Sequence, residues 1–452
     1  MIELELVLRG GTVVHPNGEV AQQEVGVASG RIAVLASPGT DLPARLQHDV
    51  TGMYLFPGVV DPHTHLGVGG GMEEYLTDTG AASIGGVTAV INILIDSGDY
   101  DPLIREHVSA ADAAARTDFG LHLTLMHPGH AGAIRSYAQG HGITSFKYYM
   151  SFRGDEGAYL GADGTDDGVL ITVLEAVRDV DGVLAIHPEN IEIIWALRER
   201  LRESGRDDLR AWHESRPPYT EAEAVLRAAY LAGQVGCRVY MVHLSGAQPV
   251  DAVRAARRTV PHGQVFAETC PHFLTHNHES PIGTLGKVNP PLRAASDNEA
   301  LWQALADETL DVVGSDHVGR RRRDKTVSVW DASAGFPGTS TILPVLLSEG
   351  YHQGRLELSR IARLTSYNPA RIFGLGHRKG AIAPGMDADI AVVDLEWRRR
   401  ADAAALGTWC DYGLYEDREL QGWPRETYLR GNLIQQDGEL VASPGIGEYL
   451  PR

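Results

Sequence analysis

Between residues 57 and 376 the chain repeats one alternation, a short apolar strand-like run followed by a longer stretch with helical spacing. The runs are GVTAVINIL, FGLHLTLMH, ITSFKYYM, GVLAIHPE, CRVYMVHL, QVFAETCP and DVVGSD. EAEAVLRAAYLAGQVG and SDNEALWQALADE are two of the intervening Ala- and Leu-rich stretches, with the apolar spacing of helices. A βαβα order of this length predicts a parallel sheet, and about eight such units predict a (β/α)8 TIM-like barrel.

The two ends read differently. Residues 1–56 alternate apolar and polar side chains, with turn signals at HPNGE and ASGR. Residues 377–452 return to that style in DADIAVVDLE and ETYLRGNLIQQDGELV. The expected division is a small, discontinuous β-sandwich from 1–56 plus 377–452 with the C-terminal tail, and a barrel from 57–376. A chain of 452 residues has room for two or three domains.

Barrel chemistry gathers at the C-terminal ends of the strands. Six residues fall there: His63 and His65 in PGVVDPHTHLG, Lys147 in ITSFKYYMS, His187 in VLAIHPEN, His243 in VYMVHLS and Asp316 in LDVVGSDH. On an extended strand, residues two apart face the same way, so both imidazoles of the His63–His65 pair can reach one ion. Asp61 and Pro62 precede them, where they can position the strand end. A lone His-x-His is also compatible with a metal-free surface pair. His187 and His243 each have the alternative of a hydrogen-bonded core histidine, which two such runs beside the His-x-His pair make the weaker reading. Asp316 has the alternative of a helix cap; beside a metal it can ligate and carry a proton.

Lys147 is costly to bury as a bare ammonium. One solution is an ion pair with an acidic neighbour. The other is reaction with CO₂ to a carbamate, which replaces a cation by a two-oxygen bridge and is helped by the lowered pKa of a desolvated amine. Imidazole suits zinc, and the oxygen ligands would also admit manganese.

The net charge of −19 argues against nucleic acid as a partner. The one basic run, Arg320 to Arg323, reads as a solvated loop rather than an anion site. No apolar run is long enough to span a bilayer, and MIELELVLRGGTVV has no signal pattern, so the expected location is cytoplasmic, away from membranes. The three cysteines, Cys237, Cys270 and Cys410, have no metal or redox spacing and read as reduced and structural. Cys270, in ETCPHFL, is a weaker alternative as a nucleophile.

In order along the chain, DPHTHLG, SFKYYMS, HPEN, ESRPPYTEAEAV, VHLS, ETCPHFLTH, KVNPPLR, VGSDH and NPARIFGL together resemble the amidohydrolase superfamily. The resemblance lies with its cyclic-amidohydrolase branch, the dihydropyrimidinases, hydantoinases, allantoinases and dihydroorotases. It implies two divalent metals, with His63, His65 and Asp316 on the more buried one, His187 and His243 on the more exposed one, and a carboxylated Lys147 bridging both. It also implies Leu66, Phe152, Asn289 and Ala334 as substrate contacts, and a homo-oligomer, tetramer or dimer. Asn289 falls where such enzymes hold a ring imide with backbone groups.

Within the branch, Gly67 stands where dihydroorotases resemble His-x-His-x-Arg, so the arginine partner of a substrate carboxylate is missing. SFKYYMSF, HPEN and ESRP look most like dihydropyrimidinases and hydantoinases. Two positions depart from that pattern. Phe152 occupies the place of a tyrosine that supports the developing oxyanion, with Tyr148 or Tyr149 as possible substitutes; Ala334-Gly335 replaces Asn-Gly. The expected activity is opening of a hydantoin or dihydropyrimidine ring to an N-carbamoyl amino acid. The alternatives are allantoin or another cyclic amide or imide and, in a different class, a non-catalytic scaffold of dihydropyrimidinase ancestry.

Overall fold

The computed structural model describes residues 3–154, 156 and 164–452. Packing divides the chain into two compact units: Met1–Ile91 with Ser109–Phe119 and Pro337–Leu450, and Asn92–Val108 with Gly120–Phe336 and Pro451–Arg452.

In the first unit, one four-stranded sheet runs in the order Arg31–Ala36, Glu24–Ala28, Leu4–Arg9, Ala44–Asp49. A seven-stranded sheet runs Glu439–Leu440, Asn432–Gln436, Glu419–Leu429, Ile390–Arg400, Tyr54–Pro57, Thr12–Val14, Val20–Gln22. Tyr54–Pro57 joins the two ends of the chain. Its Pro57 pairs antiparallel with Ile390, and its Tyr54 pairs parallel with Thr12. Leu6, Leu8, Val25, Val27 and Ile32 of the smaller sheet meet Val13, Leu55, Ile390, Val392 and Tyr428 of the larger in one buried core. This is a two-layer sandwich made from both termini, as expected, because each sheet's alternation leaves one apolar face to cover. The chain end docks on its own unit: Leu450 N–H donates to the Phe119 carbonyl at 2.8 Å, and the Tyr449 ring lies 5.7 Å from that of Phe119.

The second unit is built of parallel strands in chain order. Ser145–Tyr149, Val183–His187, Arg238–Met241, Val265–Thr269 and Val312–Val313 are successive hydrogen-bonded neighbours. Ser145–Tyr149 and Val183–His187 are buried along their whole length, which is why they read as unbroken apolar runs. Helices return between them and are capped by local side chains. Asp166 accepts from Val169 N–H ahead of Asp167–Arg178, and Asn190 accepts from Ile193 N–H ahead of Ile191–Glu203.

The full sheet has nine strands, from Val312–Val313 back through Val265–Thr269, Arg238–Met241, Val183–His187, Ser145–Tyr149, Asp118–Thr124, Val87–Leu94 and Val59–His65 to His317–Val318. Its two end strands are separated in sequence only by Gly314, Ser315 and Asp316, so the sheet order returns to its start. With the intervening helices, this is the order of a (β/α)8 barrel.

Candidate active site

His63 and His65 close the buried strand Val59–His65, and their ring centroids lie 5.4 Å apart. His63, His65 and Asp316 each offer a ligand atom, and these atoms all lie within 4.8 Å of one another, with all three residues buried. Two imidazoles and a carboxylate in that reach are an N₂O donor set that fits a divalent ion. Asp316 has φ of 49° and His243 of 42°. Left-handed backbone at a non-glycine residue carries strain that surrounding structure must hold, and such residues cluster at functional sites.

Lys147 is fully buried at the third position of Ser145–Tyr149. Burial pulls its pKa down to about 8, against the opposing charges of Asp316, Glu268 and Cys270. The neutral amine is the form that takes up CO₂, and the lowered pKa makes more of it present at neutral pH than an ordinary lysine would have.

His187 ends its strand, and His243 follows Arg238–Met241 by two residues. The Nδ1 of His187 lies 2.8 Å from Nε2 of His243, with the rings nearly perpendicular at 4.6 Å. The Nε2 of His187 lies 2.7 Å from Glu189 Oε2. Arg216 donates to the same carboxylate at 2.7 Å and to Glu156 at 2.9 Å. Burial pushes the Glu189 carboxyl up, but Arg216 and His187 outweigh it and hold the pKa at about 2. Glu189 is therefore a carboxylate that fixes the His187 tautomer, the arrangement that supports metal-ligating histidines. Glu268 holds the next turn, accepting from His243 N–H at 2.9 Å and from the Tyr240 hydroxyl at 2.8 Å.

Among the expected substrate contacts, Leu66 is buried, just before a Gly67–Gly71 loop whose Gly67 N–H donates to Glu74 at 2.6 Å. Phe152 stacks on Tyr149, with centroids 3.9 Å apart and planes 10° apart. Tyr148 donates its hydroxyl to the Asp166 carbonyl at 2.7 Å, so of the two substitutes named above it is otherwise engaged. Asn289 Oδ1 is buried with no hydrogen-bond partner among the described residues, an acceptor suited to a ligand N–H. Ala334 is half-buried, and its carbonyl accepts from Arg320 at 3.2 Å. Gly335 has φ of 90°, and a Cβ there would lie 2.7 Å from Val318. That close approach requires glycine.

Sequence reading gave no role to Glu189, Arg216, Glu268 or Lys325. The available signal for Glu189 is its place two residues after a strand-ending histidine. Arg322 and Arg323 are exposed, as a solvated loop requires. All three cysteines are buried free thiols. A second carboxylate group, Asp118, Asp387 and Asp389, already surrounds a cation: Lys379 Nζ lies 2.5, 3.0 and 2.6 Å from them. It is an internal ion cluster and not a metal centre.

The profile of the amidohydrolase family matches residues 208–434. A D-hydantoinase of Rhizobium radiobacter is 30% identical over 99% of this chain and 99% of its own length. An allantoinase of Rubrobacter xylanophilus is 33% identical over 98% of this chain and 97% of its own. The solved structure of L-hydantoinase (dihydropyrimidinase) from Arthrobacter aurescens superposes with a TM-score of 0.93 at 28% identity, covering 99% of this chain and 100% of that one.

Proposed function

This chain belongs to the amidohydrolase family, and from that premise we propose that it hydrolyses a cyclic amide or ureide, opening hydantoin or dihydropyrimidine rings to N-carbamoyl amino acids. The observation that carries the reading is the buried His63, His65 and Asp316 group, whose ligand atoms share one small volume. His63, His65 and Asp316 would hold one divalent ion, and His187 and His243 a second, with carboxylated Lys147 between them. Zinc is the expected metal and manganese the alternative. When bound, the ions supply acidified water and polarise a carbonyl.

The remaining roles fall to the chain's own residues. Asp316 takes the proton of the attacking water and returns it to the ring nitrogen as the C–N bond breaks. Glu189 keeps His187 in one tautomer. Leu66 and Phe152 offer apolar contact to the ring substituent, while Asn289 and Ala334 hold the ring edge.

The domains are proposed to divide at 1–56 plus 377–452 for the sandwich and 57–376 for the barrel. Among the described residues no helix is long and apolar enough to cross a membrane. A cytoplasmic homo-oligomer, tetramer or dimer, is proposed, with sedimentation as its check.

The deciding experiment is ring opening by zinc- or manganese-loaded protein on hydantoin, a bulky 5-substituted hydantoin, dihydrouracil and allantoin. Turnover of either of the first two classes supports the reading. Preference for allantoin would favour the second reading, which the similarity to an allantoinase supports. Protein that binds no metal even with bicarbonate supplied would favour a scaffold.

A further inference from the structure

Tyr149 presents a hydroxyl to this site that the roles above do not use. Residues two apart on a strand face one side. Tyr149 therefore shares a face with Lys147, whose Nζ lies 5.0 Å from the Tyr149 ring centroid. Tyr149 is also the register partner of His187 on the neighbouring strand, with the rings 5.3 Å apart. Phe152 stacks flat on the Tyr149 ring and fixes its plane. The side chain is 7% exposed, and among the described residues no hydrogen bond engages its hydroxyl. A phenol in such surroundings normally finds a partner, and a ligand oxygen can supply one here. Tyr148 points to the opposite face, and Phe152 has no donor to offer.

We propose that Tyr149 is a catalytic residue that donates its hydroxyl to the scissile carbonyl oxygen as negative charge develops there. The proposal rests on the ring-opening reading. In the step it assists, water oxygen bonds to the carbonyl carbon, the carbonyl π electrons move to oxygen, and the C–N bond then breaks with a proton delivered to nitrogen. The phenol keeps its own proton throughout and acts only as a preorganised donor.

The test compares the metal-loaded wild type, Tyr149→Phe, and the exchange variant Tyr149→Phe with Phe152→Tyr on the ring that wild type opens fastest. Tyr149→Phe keeps the stacked ring, so thermal midpoint and metal content should stay at wild-type values. Its kcat should fall about 10²- to 10³-fold with little change in KM. The exchange variant, which returns a hydroxyl three residues later against the same stacked pair, should recover much of that loss. An unchanged kcat in Tyr149→Phe would overturn the assignment. A fall in kcat matched by loss of metal would make Tyr149 structural and overturn it too. Wild-type silence on every ring would instead remove the reading on which it rests, and the two failures are told apart by the wild-type rate alone.

Discussion

His187 Nδ1 lies 2.8 Å from His243 Nε2, while His187 Nε2 lies 2.7 Å from Glu189 Oε2. A neutral imidazole has one N–H. With that proton directed at the carboxylate, Nδ1 turns its lone pair towards His243, and the two nitrogens can converge on one cation. Burial pulls the His187 pKa down, which keeps the ring neutral and able to ligate. Glu189→Gln should therefore weaken divalent-metal affinity about 10- to 100-fold at one of two sites. Chelator competition followed by metal analysis reads this directly. Two sites of wild-type affinity in the variant would reduce Glu189 to a partner of Arg216.

Lys147 gives a pH-dependent prediction. With its pKa near 8, about a tenth of the amine is neutral at pH 7, against about one part in three thousand for an ordinary lysine. Carbamate formation consumes the neutral amine. Reactivation of metal-free protein by zinc and bicarbonate should thus accelerate as pH rises towards and through 8, then level off. Carbon-13 bicarbonate should leave a carbamate signal that Lys147→Ala lacks, together with metal and activity. Full activity with two metals bound in Lys147→Ala would sink the carbamate.

Asp316 combines a ligand position with a left-handed backbone, φ 49°. Asparagine tolerates that conformation nearly as well as aspartate, whereas alanine adds about 1 kcal/mol of strain. Asp316→Asn is therefore the clean variant: same backbone, no proton acceptor. Its kcat should drop at least about 10²-fold with the thermal midpoint preserved. Unchanged turnover would remove Asp316 as the proton carrier.

Much of this was legible in the sequence, for a physical reason. Strands buried on both faces leave unbroken apolar runs, so a histidine ending one, as in VLAIH, or a lysine set within one, as in SFKYY, stands out. What stayed hidden depends on contacts across long separations. Arg216 reaches Glu189 from 27 residues away, and neither carries a local signal for the pairing. The facing of Tyr148 and Tyr149 became definite only with the strand's register against Val183–His187. Lys325 follows the exposed basic run and reads as part of it, yet it is fully buried.

That buried lysine gives the last prediction. Lys325 Nζ donates to three carbonyls, those of Lys287 and Ser333 at 2.7 Å and of Gly335 at 2.8 Å. Three donors require the ammonium form. Burial, then the charges of Lys287 and Arg320, push its pKa down. The ammonium ties the segment before Asn289 to the segment carrying Ala334, the two proposed to hold the ring edge. Lys325→Met keeps the apolar stem but leaves three carbonyls without their donor, costing on the order of 3 kcal/mol. The denaturation midpoint should fall accordingly. Because neither metal ligands nor Asp316 touch this tie, KM for the ring should rise more than kcat falls. Equal losses in both, or a loss confined to kcat, would show that the tie supports the fold without positioning the substrate.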